Sequence, residues 1–517
     1  MPESYYITTP IYYVNDAPHI GHAYTTLACD VTARFMRLDG KRVLFLTGTD
    51  EHGQKVEKAA AAAGKDPQAF ADAVSQNFRR LTKTMNFSND DFIRTTEPRH
   101  KKAAQAIWEK MAANGQIYLS KYAGWYAVRD EAYYAESELT EGPGGKKLAP
   151  SGAEVEWVEE PSYFFKLSEW QQPLLDHYAK HPEFIGPETR RNEVVSFVKQ
   201  GLRDLSISRT TFKWGIPVPG DPDHVMYVWL DALTNYISAV GYPDEKSELF
   251  STFWPADLHM VGKDILRFHA VYWPAFLMAA GVAPPKRVFA HGWWTNEGQK
   301  ISKSLGNVID PFDLVETYGL DPVRYFLMRE VPFGQDGDFS HKAMVHRINS
   351  DLANDYGNLA QRVLSQIAKN CGAAVPAAGP LFTDADEALM TMAPNALPKI
   401  REAMQSQAIQ ETLDIIWSVI RAANRYVDEQ APWALKKTDP ARMGTVLFAL
   451  AETIRHIAIL TQPFVPQAAA KLLDQLAVPN DKRAFFHLDA ANRLEPGTPL
   501  PVPQGIFPRY VEAANAG

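Results

Sequence analysis

The stretch ITTPIYYVNDAPHIGH, residues 7–22, decides how the rest of the chain is read. Ile7 and the run from Ile11 to Val14 carry the apolar, β-branched and aromatic side chains of a strand, which breaks at Asn15-Asp16. A helix restarts behind Pro18, because a proline just inside a helix start has its φ preset for the first turn. His19 and His22 are three apart, so both imidazoles lie on one helix face near its N-terminus. Free N–H groups and the macrodipole favour anions there. Gly21 between them lets a flat group approach the backbone. Two surface histidines at a helix start would carry the same short pattern. A second segment, Lys300-Ile301-Ser302-Lys303-Ser304, sets two lysines three apart between Gly and Asn residues, and the pair of segments is far more specific than either alone.

After the first helix, read over residues 22–38, the run RVLFLT at 42–47 suits a buried parallel strand and ends in Gly48-Thr49-Asp50-Glu51-His52-Gly53. Strand, helix, strand is a βαβ unit, and such sheets bind ligands beyond the carboxyl ends of their strands. Asp50 is thereby expected beside His19 and His22, where a carboxylate can hold an ammonium group; a helix N-cap is the structural alternative. Residues 54–115 read as helical, 118–197 as an inserted module of short aromatic-rich strands, and 205–209, 225–236 and 258–269 as a return to the core sheet. Trp229, Tyr236, Phe268, His269 and Trp273 are concentrated in and around the last two stretches. Each alone fits a buried core, whereas the set fits a lined cavity. The loop 293–307 around the lysine pair is rich in Gly, Ser and Asn, residues 310–329 and 349–478 read as helices, and residues from 479 onward as short strand and Pro/Gly-rich connections.

A chain of 517 residues exceeds one core and implies three or more domains. An apolar fraction of 46% and a charged fraction of 22% are those of an ordinary globular enzyme. The net charge of −8 does not point to nucleic acid, but phosphate binding needs only a local basic surface. Two cysteines, Cys29 and Cys371, exclude a disulfide framework and a four-thiolate zinc site. The N-terminus enters a strand without the basic flank and apolar core of a signal peptide, and no run is expected to approach the roughly 20 apolar residues of a membrane span. A cytoplasmic protein without a membrane partner is the expectation.

The two signature segments identify a resemblance to the class I aminoacyl-tRNA synthetases, whose HIGH and KMSKS motifs stand here as His19-Ile20-Gly21-His22 and KISKS. The stretches PIYYVNDAPHIGH, TGTDEHG, VWLDAL, VGKDILRFH, KISKSLGN and EVPFGQDGDF narrow it to the methionyl-tRNA synthetases. That resemblance implies an α/β fold with a Rossmann-like parallel-sheet catalytic domain in residues 1–117 and 198–295 and a connective insertion in 118–197. It further implies a KISKS loop and stem-contact domain in 296–348, an α-helical bundle reading the anticodon in 349–478, and a tail, 479–517, packing back on the body.

By the same resemblance, ATP would be handled by His19, Gly21, His22, Gly262, Lys263, Asp264, Lys300, Ser302 and Lys303, with the two histidines and two lysines carrying the catalysis. Asp50 would take the methionine ammonium with Arg209 as its ion-pair partner, and Ile11 and Tyr236 would face the thioether. Pro10, Tyr13, Trp229, Ala232, Leu233, Phe268 and His269 would line or close the pocket, although Leu233 stands where some relatives differ. An aromatic lining suits the flexible, polarizable thioether. Asn358, Arg362 and Trp433 match the anticodon-reading face, where splayed bases stack on rings; a Trp beside a Pro at a helix start otherwise reads as core.

Magnesium is expected with ATP. Relatives often carry zinc knuckles of paired cysteines in the insertion, but residues 122–139 have none and His177 and His181 read as solvated, so no zinc is expected. Initiator and elongator tRNA(Met) are the expected partners. Some relatives continue into a dimerising tRNA-binding module that does not follow residue 517, which makes a monomer the expectation. A small-molecule adenylyltransferase shares the His-x-Gly-His helix start but has no need of KISKS. A sibling synthetase for another apolar amino acid is opposed by VWLDAL and RYVDEQAPW, and an inactive tRNA-binding homologue by the presence of all four phosphate-handling residues. A metal hydrolase is opposed by the missing third ligand.

Overall fold

A computed structural model describes residues 2–15, 17–302, 305–379 and 382–512. Strand β1 (Ser4–Thr8) is followed by β2 (Tyr12–Tyr13), helix α1 (Ile20–Leu38) and β3 (Arg42–Asp50). Pro18 stands one residue before the helix cap, His19, rather than inside the first turn. Helices α2 (Gln54–Ala62), α3 (Pro67–Thr84) and α4 (Pro98–Ala113) fill the region read as helical, with one addition. A short strand β4 (Asp91–Arg94) pairs with β3, too brief to show a period-two pattern.

The main sheet runs in the order Ile185–Gly186, Val288–His291, Leu258–Gly262, β1, β3, β2, with β4 also on β3 and every pair parallel. β1 is flanked by β3, the next long strand of the chain, on one side and by the much later Leu258–Gly262 on the other, so the strand order reverses there and makes it the switch point where such sheets open a crevice. The end of β3 at Asp50, Gly262, and His291 all lie at carboxyl ends of these strands.

In the insertion and the chain that follows it, three stretches differ from the sequence reading. The insertion begins as strands, β5 (Ile117–Ala127) pairing with Glu156–Phe165 and with β6 (Ala132–Tyr134), but its second half is helical: α5 (Gln171–Lys180) and α6 (Glu188–Lys199). Leu174 and Tyr178, and Val194 and Val198, are buried pairs four apart, the helical spacing that aromatic composition masked. Residues 205–209 leave the main sheet and pair with Glu156–Phe165 and Asp221–Met226. Residues 225–236 end their strand at Met226 and continue as helix α7 (Val228–Ser238), since an apolar run cannot by itself distinguish a strand from a buried helix.

Helices dominate residues 341–475 and share one apolar cluster with α1. Contrary to the sequence reading, one helix, Pro440–Thr461, is long and apolar enough to cross a membrane; its apolar window is wholly buried in the bundle. Beyond it, residues 480–492 form short 3-10 turns rather than a strand, and the remaining connection is held by a bridge between Ala374 and Pro499.

Arg324 joins three parts of the chain. Its Nη2 donates to Asp30 Oδ2 of α1 (2.7 Å) and to Pro463 O (2.8 Å), Nη1 to Met85 O (3.0 Å) and Nε to Phe464 O (3.2 Å), all fully buried.

Candidate active site

At the start of α1 the two imidazoles cap the helix with their own backbone. Gly21 N–H donates to His19 Nδ1 (3.0 Å) and His19 N–H to His22 Nδ1 (3.0 Å), and the rings lie 3.9 Å apart between centroids. Both Nδ1 atoms are therefore acceptors, so each ring proton sits on Nε2 as a donor free of the helix. Surrounding protein lowers both imidazoles from their ordinary range, His22 further through its neighbour His19, which keeps them neutral near pH 7. A Cβ at Gly21 would come within 2.9 Å of the His19 ring, so the cap requires glycine there. Ile20 N–H donates to Ile309 O (3.1 Å), which ties this turn to the segment leaving KISKS.

Along α7, Trp229, Ala232, Leu233 and Tyr236 recur at helical spacing and share a face. Trp229 stacks on Phe268 with ring centroids 3.8 Å apart and planes 6° from parallel. Ile11 and Tyr13 border the same apolar cluster, and Pro10 is buried beside it in sequence. His269 Nδ1 lies 2.9 Å from Ile265 O, which places its proton there and leaves Nε2 to accept from the Tyr236 hydroxyl at 2.7 Å. Burial brings His269 down to about 4, so this ring is neutral.

Asp50 is buried at the end of β3 and its Oδ1 has no hydrogen-bond partner among the described residues. Burial, and then the charges of Asp231 and Glu131, raise its carboxyl well above the usual range. Arg209 does not pair with it, contrary to expectation: its Nη1 donates to Glu160 Oε1 (2.6 Å), and its guanidinium lies over the rings of Tyr126 and Tyr133. Glu160, on the antiparallel sheet of the insertion, supplies the carboxylate that the sequence reading had assigned to Asp50. Arg209 Nη2 and Trp229 Nε1 are two more buried polar atoms without a partner among the described residues. Such groups ask for a ligand.

At the end of Leu258–Gly262, Lys263 is held by Asp336 (2.7 Å) and its ammonium lies 4.3 Å from the Trp293 ring centre. Asp264 Oδ1 accepts from Trp293 Nε1 at 3.2 Å, and its charge reaches His19. A Cβ at Gly262 would meet Asp264 Oδ1 at 2.5 Å. Lys300 is exposed, Ser302 N–H donates to Asn307 Oδ1 (2.8 Å), and Lys303 and Ser304 lie outside the described residues.

With this geometry, residues 5–364 match the family model for class I tRNA synthetases (M), and residues 375–516 match that for the anticodon binding domain of methionyl tRNA ligase. The chain belongs to the methionyl-tRNA synthetase family. It is 62% identical over 514 residues to the methionine--tRNA ligase of Mesorhizobium japonicum, covering 99% of both chains. It is 58% identical over 517 residues to that of Rickettsia bellii, covering 99% of this chain and 100% of the relative. Among solved structures, Mycobacterium tuberculosis methionyl-tRNA synthetase in complex with methionyl-adenylate superposes with a TM-score of 0.96 at 54% identity, covering 98% of this chain and 100% of that one. The apo form of the same enzyme gives 0.90 at 50% identity, covering 99% of each.

In the helical part typical of this family, Asn358 is exposed at the start of Asn358–Asn370. Arg362, one turn on, donates to Asp428 Oδ1 (2.7 Å) with its guanidinium 5.6 Å from the Trp433 ring centre. Trp433 is 47% exposed while Pro432 is buried, so this Trp is not a core residue. It borders a cavity of about 280 Å³ with Gln361, Arg362 and Val427.

Several polar residues around Asp50 and α7 were not among the sequence-predicted site residues. His52 and Asp231 were legible inside TGTDEHG and VWLDAL, whereas His100 and Glu131 carried no local signal. Glu131 sits within reach of the Tyr13 hydroxyl and burial pushes its carboxyl up to about 7.

Proposed function

We propose that this chain joins L-methionine to ATP, forming methionyl-adenylate and pyrophosphate, and then passes the methionyl group to tRNA(Met) with release of AMP. The observation that carries the reading is the pair of Nε2–H donors at the start of α1, taken with the Asp50 carboxyl at the carboxyl end of β3, whose Oδ1 has no hydrogen-bond partner among the described residues, and with the aromatic wall of α7.

In the first step a methionine carboxylate oxygen attacks the α-phosphorus in line. The bond from that phosphorus to its bridging oxygen breaks, and pyrophosphate leaves with the electron pair. No side-chain nucleophile is needed. His19 and His22 meet the phosphates as neutral donors, Gly21 leaves room for adenine, and Lys300 and Lys303 take charge growing on the leaving group. Ser302 belongs to the same closing loop, Gly262 and Asp264 receive the ribose, and Lys263 acts there once released from Asp336. ATP enters as its magnesium complex. The magnesium would be carried mainly by the phosphates and water rather than by a protein cage. Asp50 takes the ammonium; Arg209 acts through Glu160 and the tyrosines around it. Pro10, Ile11, Tyr13, Trp229, Ala232, Leu233, Tyr236, Phe268 and His269 enclose the side chain.

In the second step the 2′ hydroxyl of the terminal ribose attacks the adenylate carbonyl, the acyl–phosphate bond breaks, and the hydroxyl proton leaves with AMP or solvent. Both initiator and elongator tRNA(Met) present the same anticodon to Asn358, Arg362 and Trp433. The enzyme works as a monomer in the cytoplasm, among the translation enzymes it resembles.

Amino-acid-dependent ATP–pyrophosphate exchange over the twenty amino acids tests the first step: methionine alone should support full exchange. Homocysteine should be the nearest competitor, because one methylene is worth only about 1–3 kcal/mol in an apolar pocket. Comparable exchange with leucine or isoleucine would overturn the assignment. For the second step, Trp433→Ala should spare exchange and raise the KM for tRNA(Met) by about 10-fold or more, from loss of stacking worth ~1–3 kcal/mol per base. Equal loss in both assays would return this side chain to a folding role.

A further inference from the structure

Two side chains in the sequence motifs have no part in the steps above, and the fold brings them together. His52, two residues beyond Asp50 at the end of β3, places Nδ1 2.7 Å from Asp231 Oδ2 on α7. The other carboxylate oxygen, Asp231 Oδ1, lies 2.7 Å from His100 Nε2 on α4. All three are buried, at 2%, 1% and 0% exposure respectively for His52, Asp231 and His100.

Burial alone would raise the Asp231 carboxyl, but the two histidines outweigh it and hold it near 2. Ionised, it accepts only, so His52 Nδ1 and His100 Nε2 each present an N–H to it. His100 Nδ1 faces Ser238 Oγ at 3.0 Å, and the Ser238 hydroxyl is itself 2.9 Å from Thr234 O. With that hydroxyl donating to Thr234, Ser238 Oγ accepts from His100, so both ring nitrogens of His100 face an acceptor, Asp231 on one side and Ser238 on the other.

Asp50 feels this balance. Among charged neighbours, Asp231 acts on it most strongly, ahead of Glu131 and Glu51. Glu131, from the turn between β5 and β6, bonds to Tyr13; Glu51 is compensated by Arg94 at 2.7 Å; Lys55 of α2 lies over the Tyr13 ring; and Arg209 is spent on Glu160. Asp231 is thus the charge whose two oxygens are each held by an imidazole.

We propose that His52, Asp231 and His100 form a buried positioning unit whose charge balance keeps Asp50 able to receive the methionine ammonium. The inference rests on the reading of Asp50 as the ammonium acceptor. Asp50 binds a cation only when deprotonated, so methionine affinity falls as pH drops through its pKa. His100→Gln keeps a donor toward Asp231 but replaces an imidazole with a group that cannot carry charge, leaving His52 alone to offset the carboxylate. The acid limb of methionine KM should then move to higher pH, by about tenfold in KM at a fixed acid pH for a shift of about one unit. Asp231→Asn removes the charge, and the limb should move to lower pH. The KM for ATP should stay within about twofold in both, since neither change reaches the phosphates.

The experiment is the pH profile of methionine KM and ATP KM in pyrophosphate exchange for the full chain, with thermal unfolding as a folding check. Opposite displacement of the two limbs supports the unit, and either variant alone decides the direction if the other does not fold. Limbs that stay in place or move together, or an equal rise in ATP KM, overturn it. Asp50→Asn separates the two readings. Unchanged methionine binding there removes Asp50 itself, whereas lost binding with stationary limbs in the other two removes only the charge unit.

Discussion

Lys303→Ala is expected to lower methionine-dependent ATP–pyrophosphate exchange by roughly 10²-fold or more, while the Kd for methionine alone stays nearly unchanged. An oriented donor aimed at charge that exists only in the transition state contributes there and not to ground-state binding; removing one such donor costs about 10²–10³ in rate. The histidines at the start of α1 cannot substitute, because each offers only a single Nε2–H and both rings are held by backbone N–H groups. Pre-steady-state adenylate formation measures this directly. A normal rate would remove Lys303 from the chemical step, and a parallel loss of methionine affinity would assign it to general folding of the site.

Arg324→Met should lower thermal stability more than any single surface change, with an expected cost of about 3 kcal/mol or more, because it takes from the buried Asp30 carboxylate its only fully buried ion partner among the described residues and leaves the partly exposed Arg34 to hold it alone. The burden falls on Asp30, whose carboxyl is held below the usual range by Arg324 and Arg34 against the burial that would raise it. The carbonyls of Met85, Pro463 and Phe464 lose their donor at the same time. Asp30→Leu combined with Arg324→Met should restore much of the loss, since an apolar pair of similar volume avoids the desolvation of both ions. Calorimetry of the single and double variants tests this; a single variant that unfolds with the parent would show that the guanidinium is dispensable.

Local chemistry made much of the catalytic framework legible. The β1–α1–β3 unit followed from an apolar strand, a helix start and a second apolar strand in close succession, and the sheet indeed binds these elements in parallel. Leu258–Gly262 also took its place in that sheet. What escaped were elements set by packing rather than by local pattern. The helix from Val228 is buried on nearly every side, its polar residues Asp231, Thr234, Asn235 and Ser238 included, so no exposed polar face marks its period in the sequence. The Arg209 partner escaped for a different reason: Glu160 lies far away in sequence, and only antiparallel pairing inside the insertion brings it close. His100 was equally silent, since one histidine on an amphipathic helix has no spacing to read.

The short strand Ile185–Gly186 sits at the border of the parallel sheet, hydrogen-bonded to Val288–His291 although it lies between the two helices of the insertion. An engineer trimming the insertion to a minimal enzyme would therefore uncover that neighbour's unsatisfied main-chain groups just upstream of the KISKS segment. The excised protein would gain a sticky flank prone to self-association. A graft of this insertion onto another synthetase would have to carry its two-residue anchor along with it.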